Sequence, residues 1–281
     1  MTRTARARAV VETLRQHIPR PETELAFRNP YELVVAVVLS AQCTDARVNL
    51  VTPALFDAFP TPDALAEASV EEVFALVRSV TYPNNKAKHL VGLAQRLVAE
   101  HGGDVPRERA ALEALPGVGR KTASVVLSVA FDEAALAVDT HVFRVAHRLG
   151  LVPDRADTPR KVEDALTRVL PAEDWNEAHH LLILHGRYTC LARSPRCDAC
   201  PLTAMCPFFD ALQALPPPLD GLDAKQGRYF SPSSGRYFDV PKVKTDRHGT
   251  EQLADPFTGA MTVYDAKTGR STRKVRDWRV G

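Results

Sequence analysis

From about Ala5 to Pro207 the apolar residues recur at helical spacing, and no convincing strand alternation occurs before Pro216. A chain that offers only helices over such a stretch must build its core helix on helix, so the expected fold class is all-α. Tyr31 to Leu39, YELVVAVVL, is apolar on every face and suits a buried central helix. Pro62 leads into LAEASVEEVFALVRSV and stands well at a helix start, where its missing N–H has no intrahelical partner anyway. Asn84-Asn85 interrupts the pattern, AKHLVGLAQRLVAEHGG resumes it, and Gly102-Gly103 ends it. ERAALEAL, KTASVVLSVAF, HVFRVAHRLG, RKVEDALTRVL and HHLLILHGRYTC read as further helices.

The pattern stops at LPPPLDG, Leu215 to Gly221, whose three consecutive prolines read as a linker. Beyond it come three similar turn units, SPSSG from Ser231, DPFTG from Asp255 and DAKTG from Asp265. Each opens on an oxygen side chain and closes on glycine, which suits a hairpin. Residues 213–281 are therefore expected to be a linker and a C-terminal extension, in short β-hairpins or partly disordered.

Composition excludes some functions and permits others. No apolar run approaches the ~18 residues of a membrane span. The basic N-terminus, MTRTARARAVVETLRQHIPR, reads as an amphipathic helix and not as a signal peptide, so a cytoplasmic location is expected. The formal net charge is only +2, so any attraction to nucleic acid must come from local geometry.

Four places carry possible chemistry. Leu115-Pro-Gly-Val-Gly119 joins two helices through a tight turn, and Arg120-Lys121-Thr122 opens the second. Free N–H groups at that helix start make an anion site fit for a DNA phosphate; a plain helix–turn–helix corner is the alternative. Lys121 lies in the same first turn, where the positive end of the helix dipole disfavours an ammonium. A neutral amine there is a nucleophile able to form a Schiff base, while a lysine that only touches phosphate is the other reading. Asp139 precedes the helix HVFRVAHRLG. It reads either as an N-cap or as a carboxylate that stabilises positive charge developing on a sugar and helps keep the lysine deprotonated. His141, just behind it, needs no special role. Finally, Cys190-x6-Cys197-x2-Cys200-x5-Cys206 gathers four of the five cysteines, enough for a tetrahedral zinc or an iron–sulfur cluster.

Together, LPGVGRKTA, VDTHVFRV, LILHGRYTC and the cysteine spacing resemble the endonuclease III family. LSAQCTD, Leu39 to Asp45, is similar to the family's LSAQATD with Cys43 in place of alanine. The resemblance runs in order through about the first 210 residues. It implies a two-domain helix-hairpin-helix glycosylase. Residues 23–134 would form a six-helix barrel carrying the hairpin. Residues 1–22 and 135–212 would form a domain with a [4Fe–4S] cluster held by Cys190, Cys197, Cys200 and Cys206.

The resemblance further implies a bifunctional DNA glycosylase and AP lyase of base excision repair. Such an enzyme removes oxidised pyrimidines through a lysine Schiff base and nicks the strand by β-elimination. Lys121 matches the catalytic lysine and Asp139 the catalytic aspartate. Gln42 matches the residue that fills the gap left by the extruded nucleotide. Tyr82 stands where the family often has a leucine wedge, which leaves the opposite-base preference open. DNA contacts are expected from Leu115, Gly117, Gly119, Arg120 and Thr122 of the hairpin and from Arg187, Arg193 and Arg196 near the cluster. The implied partner is double-stranded DNA with damaged bases or abasic sites, bound by a monomer associated with the nucleoid. Two rivals are weighed against this. An adenine glycosylase-like enzyme shares the cluster spacing but lacks the lysine nucleophile. A non-catalytic redox sensor would have no use for both Lys121 and Asp139.

Overall fold

The computed structural model describes residues 1–193, 195–213 and six short strands between residues 228 and 274. The chain divides into two compact units, Met1–Leu202 and Thr203–Gly281.

The first unit is all-helical. Its helices are α1 (Arg3–His17), α2 (Pro30–Ser40), α3 (Asp45–Ala58), α4 (Pro62–Ala66), α5 (Val70–Val77), α6 (Pro83–His101), α7 (Arg109–Ala114), α8 (Arg120–Phe131), α9 (Thr140–Arg148), α10 (Pro159–Val169) and α11 (Trp175–Tyr188). No helix among the described residues is long and apolar enough to cross a membrane. As its composition requires, α2 is buried on every face from Tyr31 to Leu39. Asn29 caps its start by accepting the N–H of Glu32, and Pro30 occupies the first turn. Around α2 pack α3, α6 and α8, in a core that also takes in Leu90, Leu93 and Leu97 of α6. The N-terminal helix α1 buries Ala7, Val10, Val11 and Leu14 and packs on α10 and α11, and α9 packs on both of these too.

Two helix boundaries differ from the sequence reading. The stretch after Pro62 is two helices, because Ser69 forms a capping box with Glu72 and starts a new one. Their mutual hydrogen bonds satisfy the N–H groups of Ser69 and Glu72 at the start of the new helix. Asn84-Asn85 does not interrupt a helix either. Both lie in the first turn of α6, which begins at Pro83 directly after Tyr82. Proline opens a helix as readily as it breaks one.

The second unit contains α12 (Pro207–Gln213) and six strands. Strands β1 (Arg228–Ser231) and β2 (Arg236–Asp239) pair antiparallel, with Tyr229 opposite Phe238. Strands β3 (Lys242–Thr245), β4 (Thr250–Ala254), β5 (Met261–Asp265) and β6 (Arg270–Lys274) form an antiparallel sheet in sequence order, with a register shift between Lys242 and Lys244. The linker Leu215 to Gly221 and the centres of the three turn units lie outside the described residues.

Candidate active site

The site is assembled along α6. Pro116, in the turn after α7, lies against Gly92 of α6, where an added Cβ would stand 3.4 Å from the proline ring. Arg96 reaches across to donate to the Ala114 carbonyl at 2.6 Å and so closes the end of α7. Gly117 has φ +79°, and a Cβ there would stand 3.0 Å from the Cβ of His89. Gly117→Ala is thus expected to destabilise the hairpin by about 1–2 kcal/mol from the left-handed backbone alone, with the His89 contact adding to it. Denaturant unfolding and duplex affinity measure this, and a variant unchanged in both would show that the turn relaxes freely.

Beneath the turn, Leu115 and Val118 are buried. The Leu115 N–H goes to the Leu112 carbonyl at 3.1 Å, and its own carbonyl accepts Val118 N–H at 3.0 Å. Leu115 therefore packs its side chain into the hairpin core. At the start of α8 the arrangement is the opposite. Gly119 caps the helix without a side chain, so the N–H groups of Arg120, Lys121 and Thr122 have no intrahelical acceptor. A Cβ on Gly119 would meet nothing within 4 Å, which leaves the approach to them open. Lys121 is exposed at this point and Thr122 is half-buried. The Arg120 guanidinium is engaged elsewhere, donating twice to Glu163 of α10 at 2.9 and 2.6 Å.

Asp139 caps α9. Its Oδ1 accepts the N–H groups of His141 at 2.9 Å and Val142 at 2.8 Å, and its Oδ2 pairs with His141 Nδ1 at 3.0 Å. Burial works against a charged carboxyl here. The His141 and Val142 hydrogen bonds and the positive charge of Lys121 outweigh it, and hold Asp139 well below the usual carboxylate range. Asp139 and Lys121, on the first turns of two different helices, thus share one electrostatic neighbourhood. Sequence reasoning missed a third member, His179 of α11. It is 2% exposed, hydrogen-bonds the Ala137 carbonyl through Nδ1 at 2.8 Å, and is pushed by burial down to about 3. It is therefore a neutral support beneath the segment that leads to Asp139.

Gln42 and Tyr82 are both exposed, and both take the left-handed backbone conformation, at φ 54° and 55°. Asp132 is the other non-glycine residue with positive φ among those described. Such strain persists only where the surroundings over-determine it, and it gathers at functional sites. Arg187 is tied to Asp45 at 2.7 Å and to Glu24, with Tyr188 also on Glu24. Arg193 and Arg196 are exposed.

The cysteine-bearing loop is held by two arginines that sequence reasoning also missed. Arg144 donates to the carbonyls of Cys190 at 3.2 Å and Gly186 at 2.9 Å. Arg148 donates to the Cys190 Sγ at 3.5 Å and to the carbonyls of Leu191 and Ala192 at 2.7 and 3.0 Å. His185 Nε2 stands 3.8 Å from the Cys200 Sγ. Burial, then the neighbouring cysteines, pushes the thiols of Cys197 and Cys200 up. Among the described residues no three His, Cys, Asp or Glu side chains are grouped as donors to a single ion. The donor chemistry nevertheless fits an iron–sulfur cluster: soft thiolates in one short stretch, with cationic N–H donors aimed at a ligand sulfur and its backbone.

Comparison with known proteins decides what this arrangement belongs to. Residues 35–172 match the HhH-GPD superfamily of base excision DNA repair proteins, and residues 190–206 match the iron–sulfur binding domain of endonuclease III. Endonuclease III of Escherichia coli K12 is 47% identical over 199 residues, covering 71% of this chain and 93% of that protein. The chain belongs to the endonuclease III family. The Bacillus subtilis endonuclease III is 50% identical over 188 residues, 67% of this chain and 85% of its own length. A solved structure of a trapped endonuclease III–DNA covalent intermediate shares 44% identity at a TM-score of 0.72, covering 76% of this chain and all of that one. As a member of the endonuclease III family, the protein is a base excision repair DNA glycosylase and AP lyase, binds DNA and carries a [4Fe–4S] cluster.

Proposed function

We propose that the enzyme removes oxidised or ring-saturated pyrimidines, with Lys121 as nucleophile and Asp139 as its electrostatic partner. The observation that carries this reading is the placement of Lys121 in the open first turn of α8 and of Asp139 as the hydrogen-bonded cap of α9, with Lys121 among the groups that hold the Asp139 carboxyl low. A DNA phosphate binds the N–H groups of Gly119 to Thr122, and Arg193 and Arg196 add contacts to the backbone. Arg120 contributes its N–H while its guanidinium holds Glu163. Arg187 contributes a contact only by exchanging a carboxylate for a phosphate.

The damaged nucleotide is extruded, with Tyr82 wedged into the stack and Gln42 filling the gap. The neutral Lys121 amine attacks C1′. The N–C1′ bond forms as the glycosidic bond breaks, and the base leaves with its bonding electrons. A carboxylate held as far down as Asp139 is a weak proton acceptor, so its main work is to stabilise positive charge on the sugar. The attacking nitrogen then gives up one proton, its lone pair expels the ring oxygen from C1′, and that oxygen takes a proton to become the C4′ hydroxyl, which leaves a protonated Schiff base. Loss of a C2′ proton from this Schiff base expels the 3′ phosphate with its bonding electrons and nicks the strand.

Cys190, Cys197, Cys200 and Cys206 hold the cluster, which stiffens the loop carrying Arg193 and Arg196. On this reading residues 23–134 form the barrel domain, and residues 1–22 and 135–212 form the cluster domain. The C-terminal extension, with its six described strands, adds phosphate contacts through its basic side chains. The enzyme acts as a monomer in the cytoplasm, on the nucleoid.

Borohydride trapping tests the proposal. A duplex with a ring-saturated pyrimidine should give a covalent adduct, and an undamaged duplex none. Adenine excision opposite oxidised guanine without an adduct would replace it with the monofunctional reading.

A further inference from the structure

Lys86 is a charged side chain only 5% exposed, and the chemistry assigned above makes no use of it. Its ammonium donates to the carbonyls of Leu39 at 2.8 Å and Ala41 at 2.7 Å, at the C-terminal end of α2. A helix leaves its last four carbonyls without intrahelical donors, and here each has found one. The Val37 carbonyl accepts the Ser40 hydroxyl at 2.9 Å. The Val38 carbonyl accepts Ala41 N–H at 3.4 Å, and that of Ser40 accepts Cys43 N–H at 2.9 Å. The Leu39 carbonyl has Lys86. The cation also meets the negative end of the α2 dipole.

A buried ammonium keeps its charge only where hydrogen bonds replace water. These acceptors belong to a single turn, so the cation selects one conformation of that turn. The turn is the one in which Gln42, directly after Ala41, holds φ 54°. On its other side Lys86 is joined to the second strained residue, because its backbone N–H donates to the Tyr82 carbonyl at 3.1 Å in the first turn of α6. One residue therefore binds Tyr82 through its main chain and the Gln42 turn through its side chain, across a sequence separation of 45 residues between Lys86 and Ala41.

We propose that Lys86 is a positioning residue for nucleotide extrusion, locking the Gln42 turn to the start of α6 so that Gln42 and Tyr82 enter the duplex as one rigid unit. This rests on the reading of those two residues as the inserting pair. Rigid spacing matters because a misplacement of about 1 Å can slow a step by ~10²-fold.

The test separates extrusion from chemistry. Extrusion is followed by stopped-flow fluorescence of an aminopurine base placed beside the lesion in a duplex. Chemistry without extrusion is followed by borohydride trapping on a single-stranded abasic oligonucleotide. Lys86→Met should slow extrusion by roughly 10–100-fold and leave single-strand trapping nearly unchanged. Equal losses in both assays would reduce Lys86 to a residue of general stability and overturn the proposal. Should the methionine variant fail to retain iron and helical structure, Lys86→Gln, which keeps an N–H donor on a shorter stem, enters the same two assays with the same required split. Gln42→Ala and Tyr82→Ala guard the premise. If neither slows extrusion, the inserting-pair reading fails, and the proposal with it. If both slow it and the Lys86 variants do not, the premise stands and the proposal alone is wrong.

Discussion

Replacing Lys121 with glutamine is expected to abolish strand nicking and borohydride trapping together, while duplex affinity stays close to that of the wild-type protein. Loss of a nucleophile lowers turnover by roughly 10⁴–10⁶-fold in enzymes where it has been isolated. The fold should tolerate the change, because Lys121 is exposed in the first turn of α8 and no core contact depends on it. Binding should survive because the phosphate site is made of backbone N–H groups, which a side-chain substitution leaves in place. The competing role, a simple phosphate contact, predicts the reverse pattern. Nicking would persist, affinity would weaken evenly on all duplexes, and the salt slope would drop by about one. Single-turnover kinetics, trapping and binding at two salt concentrations therefore distinguish the two roles, and an adduct that survives in the variant would place the amine elsewhere.

What could be read from the sequence was what local patterns encode. The all-apolar α2, the glycine turn before Lys121, the cap at Asp139 and the cysteine spacing depend on residues close together in the chain, and each carries a recognisable pattern. The boundary between α4 and α5 was equally local, in the Ser69-x-x-Glu72 signature of a capping box. It was masked by apolar residues on both sides that continue the helical period. Lys86 left a trace too. It falls on the buried face of α6, in register with Leu90, Leu93 and Leu97, where a charge needs a partner. The identity of that partner could not be read, because the carbonyls belong to a different helix. Long-range pairs set the remaining limit. Arg120 meets Glu163 over 43 residues and Arg187 meets Asp45 over 142. No spacing rule connects such pairs, so both arginines read as available for DNA when their guanidinium groups are already bound to carboxylates.

Asp139→Asn should slow base release by ~10²–10⁴-fold, the scale of a lost catalytic carboxylate, and should do so with little change in the start of α9. Asparagine caps a helix about as well as aspartate, so it can keep the bonds from the His141 and Val142 N–H groups while removing the charge. Asp139→Ala removes both, and should add about 0.5–2 kcal/mol of destabilisation to the same kinetic loss. The pair of variants thus divides the cap from the chemistry, which sequence alone left open. The pH dependence of stability has a defined sign. The folded pKa of Asp139 lies below its ordinary value, so its charge stabilises the fold above that ordinary value. The contribution is lost as pH falls toward the folded pKa. Acid unfolding of the wild-type protein should therefore be steeper than that of Asp139→Asn. Near-wild-type turnover in the asparagine variant, with destabilisation only in the alanine variant, would return Asp139 to the role of a helix cap and leave the sugar's positive charge to be stabilised by another group.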